Sequence, residues 1–478
     1  MVIKLTATMS HSSDDGQQTA SRHHHGNIFP VPNPTQSYWR TPPHPLDSLR
    51  STPSLPATCD IVIIGAGLAG VSALYHLLHT ASQNPSILLL DARQACSGAT
   101  GRNGGHVKTK FRTLLSISAR FGPAAASAFA SFVAAQTAAL KHVVEQEDGL
   151  AAECEFELRR TYDVFTQEED AQWAEDEWRR VLERGDAWAR DMDFVAPAWA
   201  ERVTGVRGAR AAVSGPACSF WPYRLVMGLL GRVVARWGPE RVNVQMETPV
   251  ARVERAGEDG WCAVRTARGV VRARKVVFAT NAYTAGLVGR YHGVVTPYKG
   301  TAAHLAASEG REPVFPHLSH TYNLEFGIDR LERVDYLNPR PDGGIVVGGG
   351  KWLYEEQREL WDNTVDDATL IKPVMDAKYF EGYMQRNFRG WEDSGTKAER
   401  VWTGIQGRTP DGMPHVGKVP GEQNQWILAG FNGGGNALIF LSAKGVARMV
   451  LDDIPFEETD TGIPAMFKTT EKRLAEQS

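Results

Sequence analysis

The chain has 478 residues, 42% of them hydrophobic and 22% charged, with a formal net charge of −3. That length makes two domains the default, and the near-neutral balance argues against a binder of nucleic acid or anionic membrane, which usually carries a basic footprint. Five scattered cysteines (Cys59, Cys96, Cys154, Cys218, Cys262) with no CxxC pair argue against a disulfide framework and a zinc site, and fit a reducing compartment.

Residues 1–45, rich in Ser, Thr, His, Pro and Gln, read as a flexible or draped arm, with order expected from about Ser54. The triplet His23-His24-His25 has no acidic or cysteine partners and reads as solvated tail, so no metal is expected. The N-terminus shows no signal-peptide pattern and the C-terminal AEQS is no peroxisomal signal, which makes a cytoplasmic location the default. Ile61–Ile64 is a short strand of the kind a parallel sheet buries on both faces. A helix follows from about Gly67 to Leu78, then a second buried strand, Ile87–Leu90, ending in Asp91. Residues 122–150 and 167–191 read as helices. The first contains AAASAFASFVAAQTAAL, taken as a helix of a soluble protein, with no run of membrane-spanning length. The second carries Trp173, Trp178 and Trp188 as one packed face. From Val242 short alternating segments suggest a β-meander leading into a buried strand, Lys275–Ala279. Further strand-like runs occupy 294–350, and 401–451 reads as strand, glycine loop and helix.

The stretch CDIVIIGAGLAGVSALYHLL contains Gly65-Ala66-Gly67-Leu68-Ala69-Gly70 between strand and helix. Gly65 suits the tight turn, Gly67 the approach of backbone to a pyrophosphate, and Gly70 the close packing of helix on strand. The helix start offers N–H groups and a partial positive charge to phosphate. Asp91, 21 positions after Gly70 and followed by Ala92 and Arg93, stands where an acid accepts ribose hydroxyls. Dinucleotide binding follows from this setting, which leaves NAD and FAD open. Three later segments decide for flavin. CSGATGRNGGHVK places Gly98, Ala99, Thr100, Arg102, Asn103, Gly104, Gly105 and His106 on a path tolerating close contact, where a nicotinamide domain would enter a helix. KVVFATNAYT ends its strand at Ala279-Thr280-Asn281. VWTGIQGRTPDGMPHVG, with Gly404, precedes WILAGFNGGGNALIFLSAKGVARMVL, with Gly433-Gly434-Gly435-Asn436.

On these blocks the chain resembles the D-amino-acid-oxidase-like (DAO) family of FAD-dependent oxidoreductases, which includes glycine, sarcosine and γ-glutamylputrescine oxidases. The resemblance runs from about Cys59 to Leu451. The loop GATGRNGGHV is most similar to that of putrescine-related amine oxidases, and the chain as a whole resembles a fungal member. The resemblance implies an α/β fold: a Rossmann-type FAD-binding domain, discontinuous in sequence (46–110, 205–290, 400–470), with an α+β substrate domain on an antiparallel sheet (111–204, 291–399). FAD would lie extended, its isoalloxazine ring between the domains. The implied reaction is hydride transfer from the carbon of an amine or amino acid derivative to flavin N5, with O2 as acceptor, giving imine and H2O2. Alternatives are a dehydrogenase with another acceptor and a flavoprotein with structural FAD. Nucleic acid and membrane are not expected as partners, and the oligomeric state is open.

The same resemblance assigns the site. Gly433-Gly434-Gly435 would open the last helix, Asn436–Val450, whose N-terminus stabilises the negative edge of reduced flavin. Arg102 matches an arginine of the sarcosine oxidases and would stabilise negative flavin or orient an anionic substrate; the plainer alternative is a surface salt bridge. His106 is a flavin attachment point, a proton handler or a histidine one layer behind the ring. Gly404 stands where sarcosine oxidases carry their flavin-bonding cysteine, so FAD is expected to be non-covalent. Gln406 stands where glycine oxidases carry an arginine that clamps carboxylate. Arg408, Arg340, Lys351 or Lys299 would have to substitute, and Lys299 and Lys351 are also candidates for a lysine near N5. Tyr298, Tyr322, Trp352 and Tyr336 fall in pocket-forming segments, where desolvation keeps an amine neutral.

Overall fold

The computed structural model describes residues 28–255, 260–327 and 333–477; the histidine triplet lies outside them. Strand β1 (Thr58–Ile64) is the axis of the first sheet, parallel to β2 (Ile87–Leu90) on one side and β10 (Gly269–Phe278) on the other. The sheet continues through β7 (Val242–Gln245) beyond β2, and through β17 (Gln425–Ala429) and β16 (His415–Lys418) beyond β10. The expected meander is β8 (Val250–Glu254), β9 (Cys262–Thr266) and β10. Alternation explains why β1 is apolar throughout. Ile61 and Ile63 pack with helix α1 (Leu68–Thr80) and the helix Ile439–Asp452, while Val62 and Ile64 pack with Val264, Val271 and Tyr291 on the opposite face. Each such side chain stabilises the fold by about 1.5–3 kcal/mol.

The second sheet runs β15-β11-β14-β13-β12-β4-β6-β3, with β5 beside β6. Its strands are β3 (His106–Lys108), β4 (Glu157–Phe165), β5 (Asp193–Val195), β6 (Ala211–Ser219), β11 (Thr296–Ala306), β12 (Thr321–Glu325), β13 (Val334–Pro339), β14 (Ile345–Gly348) and β15 (Lys397–Arg408). Pairing is antiparallel except between β12 and β4, which run parallel. Leu324 and Leu337 face an apolar cluster; Asn323, Glu325 and Tyr336, one step out of phase, line the cavity described below. Helices α2 (Phe111–Phe121) and α3 (Pro123–Gln146) follow β3. Trp173, Trp178 and Trp188 do surround Phe111, with ring centroids 6.3, 6.1 and 6.0 Å away, but the helix expected over 167–191 ends at Arg184, where Gly185 turns left-handed, and Trp188 sits in a separate turn, Ala187–Asp191.

Four further expectations need correction. Residues 28–45 are ordered: Trp39 is fully buried, and Thr35 and Ser37 bond to buried groups of the protein, which a reading of polar composition as disorder misses. Strands β3, β6 and β15 belong to the second sheet, so the segments 106–108, 211–219 and 400–408 part from the first lobe to which the sequence assigned them. Among the described helices, α3 is long and apolar enough to cross a membrane by length and composition; its Phe129, Phe132, Leu140, Val143 and Val144 are buried in the core cluster that also contains α1. The last helix begins at Ile439, because Gly435–Ala437 form a separate tight turn.

Candidate active site

Sterics fix the turn between β1 and α1. Gly65 adopts φ +108°, and a Cβ there would lie 2.5 Å from the Ala279 carbonyl oxygen; on Gly70 it would lie 1.7 Å from the Gly65 oxygen. Neither position admits another residue without moving backbone. The first N–H of α1, on Leu68, is capped by Thr100 Oγ1 at 3.1 Å. Asp91 accepts the Ala66 N–H on Oδ2 at 2.7 Å and the Arg93 N–H on Oδ1 at 2.9 Å. Burial pushes its carboxyl up, and these two donors oppose the shift. The acid is thereby locked at the mouth of the turn, beside the partial positive charge of the helix start.

From this cradle a cavity of about 900 Å³ runs to the second sheet. It starts at Asp91, Ala92, Thr248 and Leu287, passes the loop 98–104, Thr280, Gly404 and the turn 433–436, and ends at Lys108, Asn323, Tyr336 and Lys351. Side-chain amides bind the walls together. Asn103 and Asn436 exchange hydrogen bonds of 3.3 and 3.2 Å, and Asn281 Oδ1 accepts the Gly430 and Phe431 N–H groups. Of the predicted site residues, Ala66, Gly70, Gly105, Lys299, Arg340, Tyr322 and Trp352 do not line the cavity. The first two shape the turn behind it, and Gly105 (φ +68°) makes room for Trp39, whose ring would stand 2.6 Å from a Cβ.

The predicted cations part company here. Lys299 lies between Tyr298 and Gly300, which face the cavity, and strand alternation sends its ammonium the other way, to Thr369 Oγ1 at 3.0 Å and Asp366 Oδ2 at 3.3 Å. It is no candidate for a group beside the substrate. Arg340 is fully buried against Trp39 and Trp221, bonded to Glu155, and also stands off the cavity. Arg102 lines the cavity and is buried, which removes the surface salt bridge. Its guanidinium donates to the carbonyls of Ser97 (2.8 Å), Thr403 (2.7 Å) and Thr35 (2.6 Å), so it braces the loop. Burial lowers it to about 10, and it stays a cation at neutral pH. Lys351 does reach the cavity, its Nζ 3.2 Å from the Tyr298 hydroxyl and over the Trp361 ring, and Arg408 pairs with Asp362 at 2.9 Å. Tyr298 and Tyr336 line the pocket; Tyr322 and Trp352 do not.

His106 is at the far end. Its Nδ1 is buried without a partner, its ring meets Tyr336 edge-on at 5.5 Å, and desolvation with the nearby Lys108 and Lys110 pushes its pKa well down, so it is neutral. Lys108, which sequence reasoning did not single out, lines the same end and donates to the Tyr322 carbonyl at 2.6 Å. Burial pushes its ammonium well below the usual lysine range. Thr109 Oγ1 and Asn323 Oδ1 are likewise buried without partners. The available signal was the alternation His106-x-Lys108-x-Lys110 leaving the glycine loop. At this end a ligand meets unpaired acceptors and an under-solvated lysine.

The family model of FAD dependent oxidoreductases (DAO) matches residues 60–449. Among curated proteins the chain is similar to γ-glutamylputrescine oxidoreductase of Escherichia coli (strain K12), 22% identical over 419 residues, 86% of either chain. It is also similar to glycine oxidase of Pseudomonas putida, 24% identical over 201 residues, 40% of this chain and 47% of the relative. Among solved structures, glycine oxidase from Geobacillus kaustophilus matches with a TM-score of 0.63 at 19% identity, covering 87% of this chain and 99% of that one. L-Proline dehydrogenase from P. horikoshii matches at 0.61 and 18%, covering 85% and 98%.

Proposed function

From the premise that the chain belongs to the DAO family of FAD-dependent oxidoreductases, we propose that it oxidises a C–N bond of an amine or amino acid derivative, with non-covalent FAD and O2 as electron acceptor. Bound FAD supplies the hydride acceptor. The residues present suit it: glycine-only positions at 65 and 70, Asp91 fixed at the end of β2, and a glycine turn at 433–435 on the cavity wall. With Gly404 in place of a cysteine, no thiol attaches the cofactor there.

The observation that carries the reading is the continuity of the cradle with the desolvated end at His106, Lys108 and Tyr336. An amine must be unprotonated to release hydride readily, and burial shifts a cationic nitrogen in that direction. Neutral His106 accepts a hydrogen bond from the substrate N–H at Nδ1, which orients the nitrogen. Lys108 and Lys351 are the donors for an anionic group of the substrate, and an anion beside Lys108 opposes the downward shift that burial gives its ammonium. Arg102 keeps the glycine loop in place.

The test is a screen of amines and amino acids against the purified yellow protein under argon, followed by air. The reading expects bleaching by a subset of them, recovery of colour in air and release of peroxide. Bleaching that persists in air would replace O2 by another acceptor, and absence of bleaching by every amine would overturn the proposal.

A further inference from the structure

The family match begins at residue 60, and the ordered segment before it is unaccounted for by that match. Phe29 and Pro30 line the cavity, and the adjoining Ile28 packs in the apolar cluster that Leu287 also joins. Val31 accepts a hydrogen bond from Arg93 Nη1 on its carbonyl at 3.0 Å. Thr35 is gripped on every polar atom: its carbonyl takes Arg102 Nη2 at 2.6 Å, its hydroxyl takes Arg102 Nη1 at 3.0 Å and the Thr403 N–H at 3.1 Å, and its own N–H donates to the Asp367 carbonyl at 2.7 Å. Further on, Ser37 Oγ donates to the Gly101 carbonyl at 2.5 Å and Trp39 Nε1 to the Asn103 carbonyl at 2.6 Å. Behind these contacts sits a buried fastener in which the fully buried Asp367 carboxylate lies 3.0 Å from Arg93 and 3.8 Å from Arg102.

The partners are telling. Arg93, Gly101, Arg102 and Asn103 all belong to the segment that follows Asp91, whereas Thr403 lies on β15 of the second sheet and Asp367 in the loop that bonds to it. The N-terminal segment makes its apolar contacts through Trp39, through Tyr38 stacked on His304 and through Ile28 in the cluster of Leu287. Its bonds lie along the cofactor loop, where charge-assisted contacts of this kind order backbone.

We propose that residues 28–40 are a clasp on the dinucleotide: Phe29 and Pro30 close the adenosine end of the cleft, and Thr35, held by Arg102 and the Asp367 fastener, keeps the loop 98–105 in the form that receives the rest of the cofactor. FAD then leaves only after Thr35 unhooks. The clasp rests on FAD binding and is independent of which amine is oxidised.

Two measurements on the full chain test it, neither needing turnover. The first is the rate at which FAD fluorescence appears on dilution of holoenzyme, for the parent, Phe29→Ala and Thr35→Val. Each variant should release FAD on the order of tenfold faster, the factor expected when about one good contact is lost. The second is amide hydrogen exchange of the unaltered protein, where residues 28–40 should exchange more slowly with FAD bound than in the apo form. Release by both variants within about twofold of the parent overturns the clasp, as does equal exchange in the two forms. A parent protein that binds no FAD at all would instead overturn the cofactor assignment.

Discussion

The two ends of the cavity are built on different principles. At the cradle, geometry is fixed by backbone approaching backbone: a Cβ on Gly70 would fall 1.7 Å from a carbonyl oxygen, and Asp91 is pinned by two N–H groups. At the pocket, side chains set the chemistry, through burial of titratable groups such as His106 and Lys108, with Asp335 buried on the other face of the strand that carries Tyr336. A cradle of this kind is set by shape. The pocket is tunable and should respond to pH and to conservative substitution.

The sharpest way to break the contrast is Gly70→Ala. Its Cβ has nowhere to go, and the variant should lose about 3 kcal/mol or more and retain little flavin, read as the ratio of visible to ultraviolet absorbance. If Gly70→Ala binds FAD normally, the steric account of the cradle fails. At the other end, His106→Gln keeps the size of the group but loses the imidazole. A fall in kcat on the order of tenfold, with a smaller change in KM, is expected for loss of the imidazole that orients the substrate nitrogen.

Asp335 tests the pH argument. Its carboxylate accepts hydrogen bonds from Tyr379 and Tyr383, both at 2.6 Å, yet burial pushes it up to about 6. The folded state therefore binds its proton more tightly than the unfolded state does. Its contribution is fully present below about pH 4 and is lost as pH rises through about 6, on the order of 3 kcal/mol in all. Urea unfolding of Asp335→Asn and parent across that window should show the difference between them shifting in favour of the variant as pH rises; a constant difference would contradict the shift. The smallest effect belongs to Lys299→Met. Because its ammonium faces Asp366 and away from the cavity, flavin reduction should stay within about threefold of the parent, well inside what loss of a group touching substrate produces. A large loss would return Lys299 to the site.

The same contrast explains what the amino-acid sequence reveals. Gly65, Gly67, Gly70 and Asp91 are legible because local backbone requirements allow few residue types and fix their spacing. The aliphatic strand β1 is legible because both of its faces are covered. Lys299 and Lys351 look alike in sequence, and only the phase of β11 against its neighbours separates the one facing away from the one in the pocket. Lys108 was passed over because its significance comes from the Tyr322 carbonyl, 214 positions away, and from the burial around it. The segment 28–45 was misread for a related reason. Polar residues signal disorder only when water is their partner, and here Arg102 and backbone carbonyls replace water.

The most direct test of the joined cradle and pocket is a crystal structure of the FAD-bound protein soaked with a slowly reacting amine. The adenosine should lie at Asp91, the isoalloxazine ring between the 433–436 turn and Tyr336, and the amine nitrogen within hydrogen-bonding distance of His106 Nδ1. A flavin ring directed out of the cavity, or an amine seated away from His106, would contradict it.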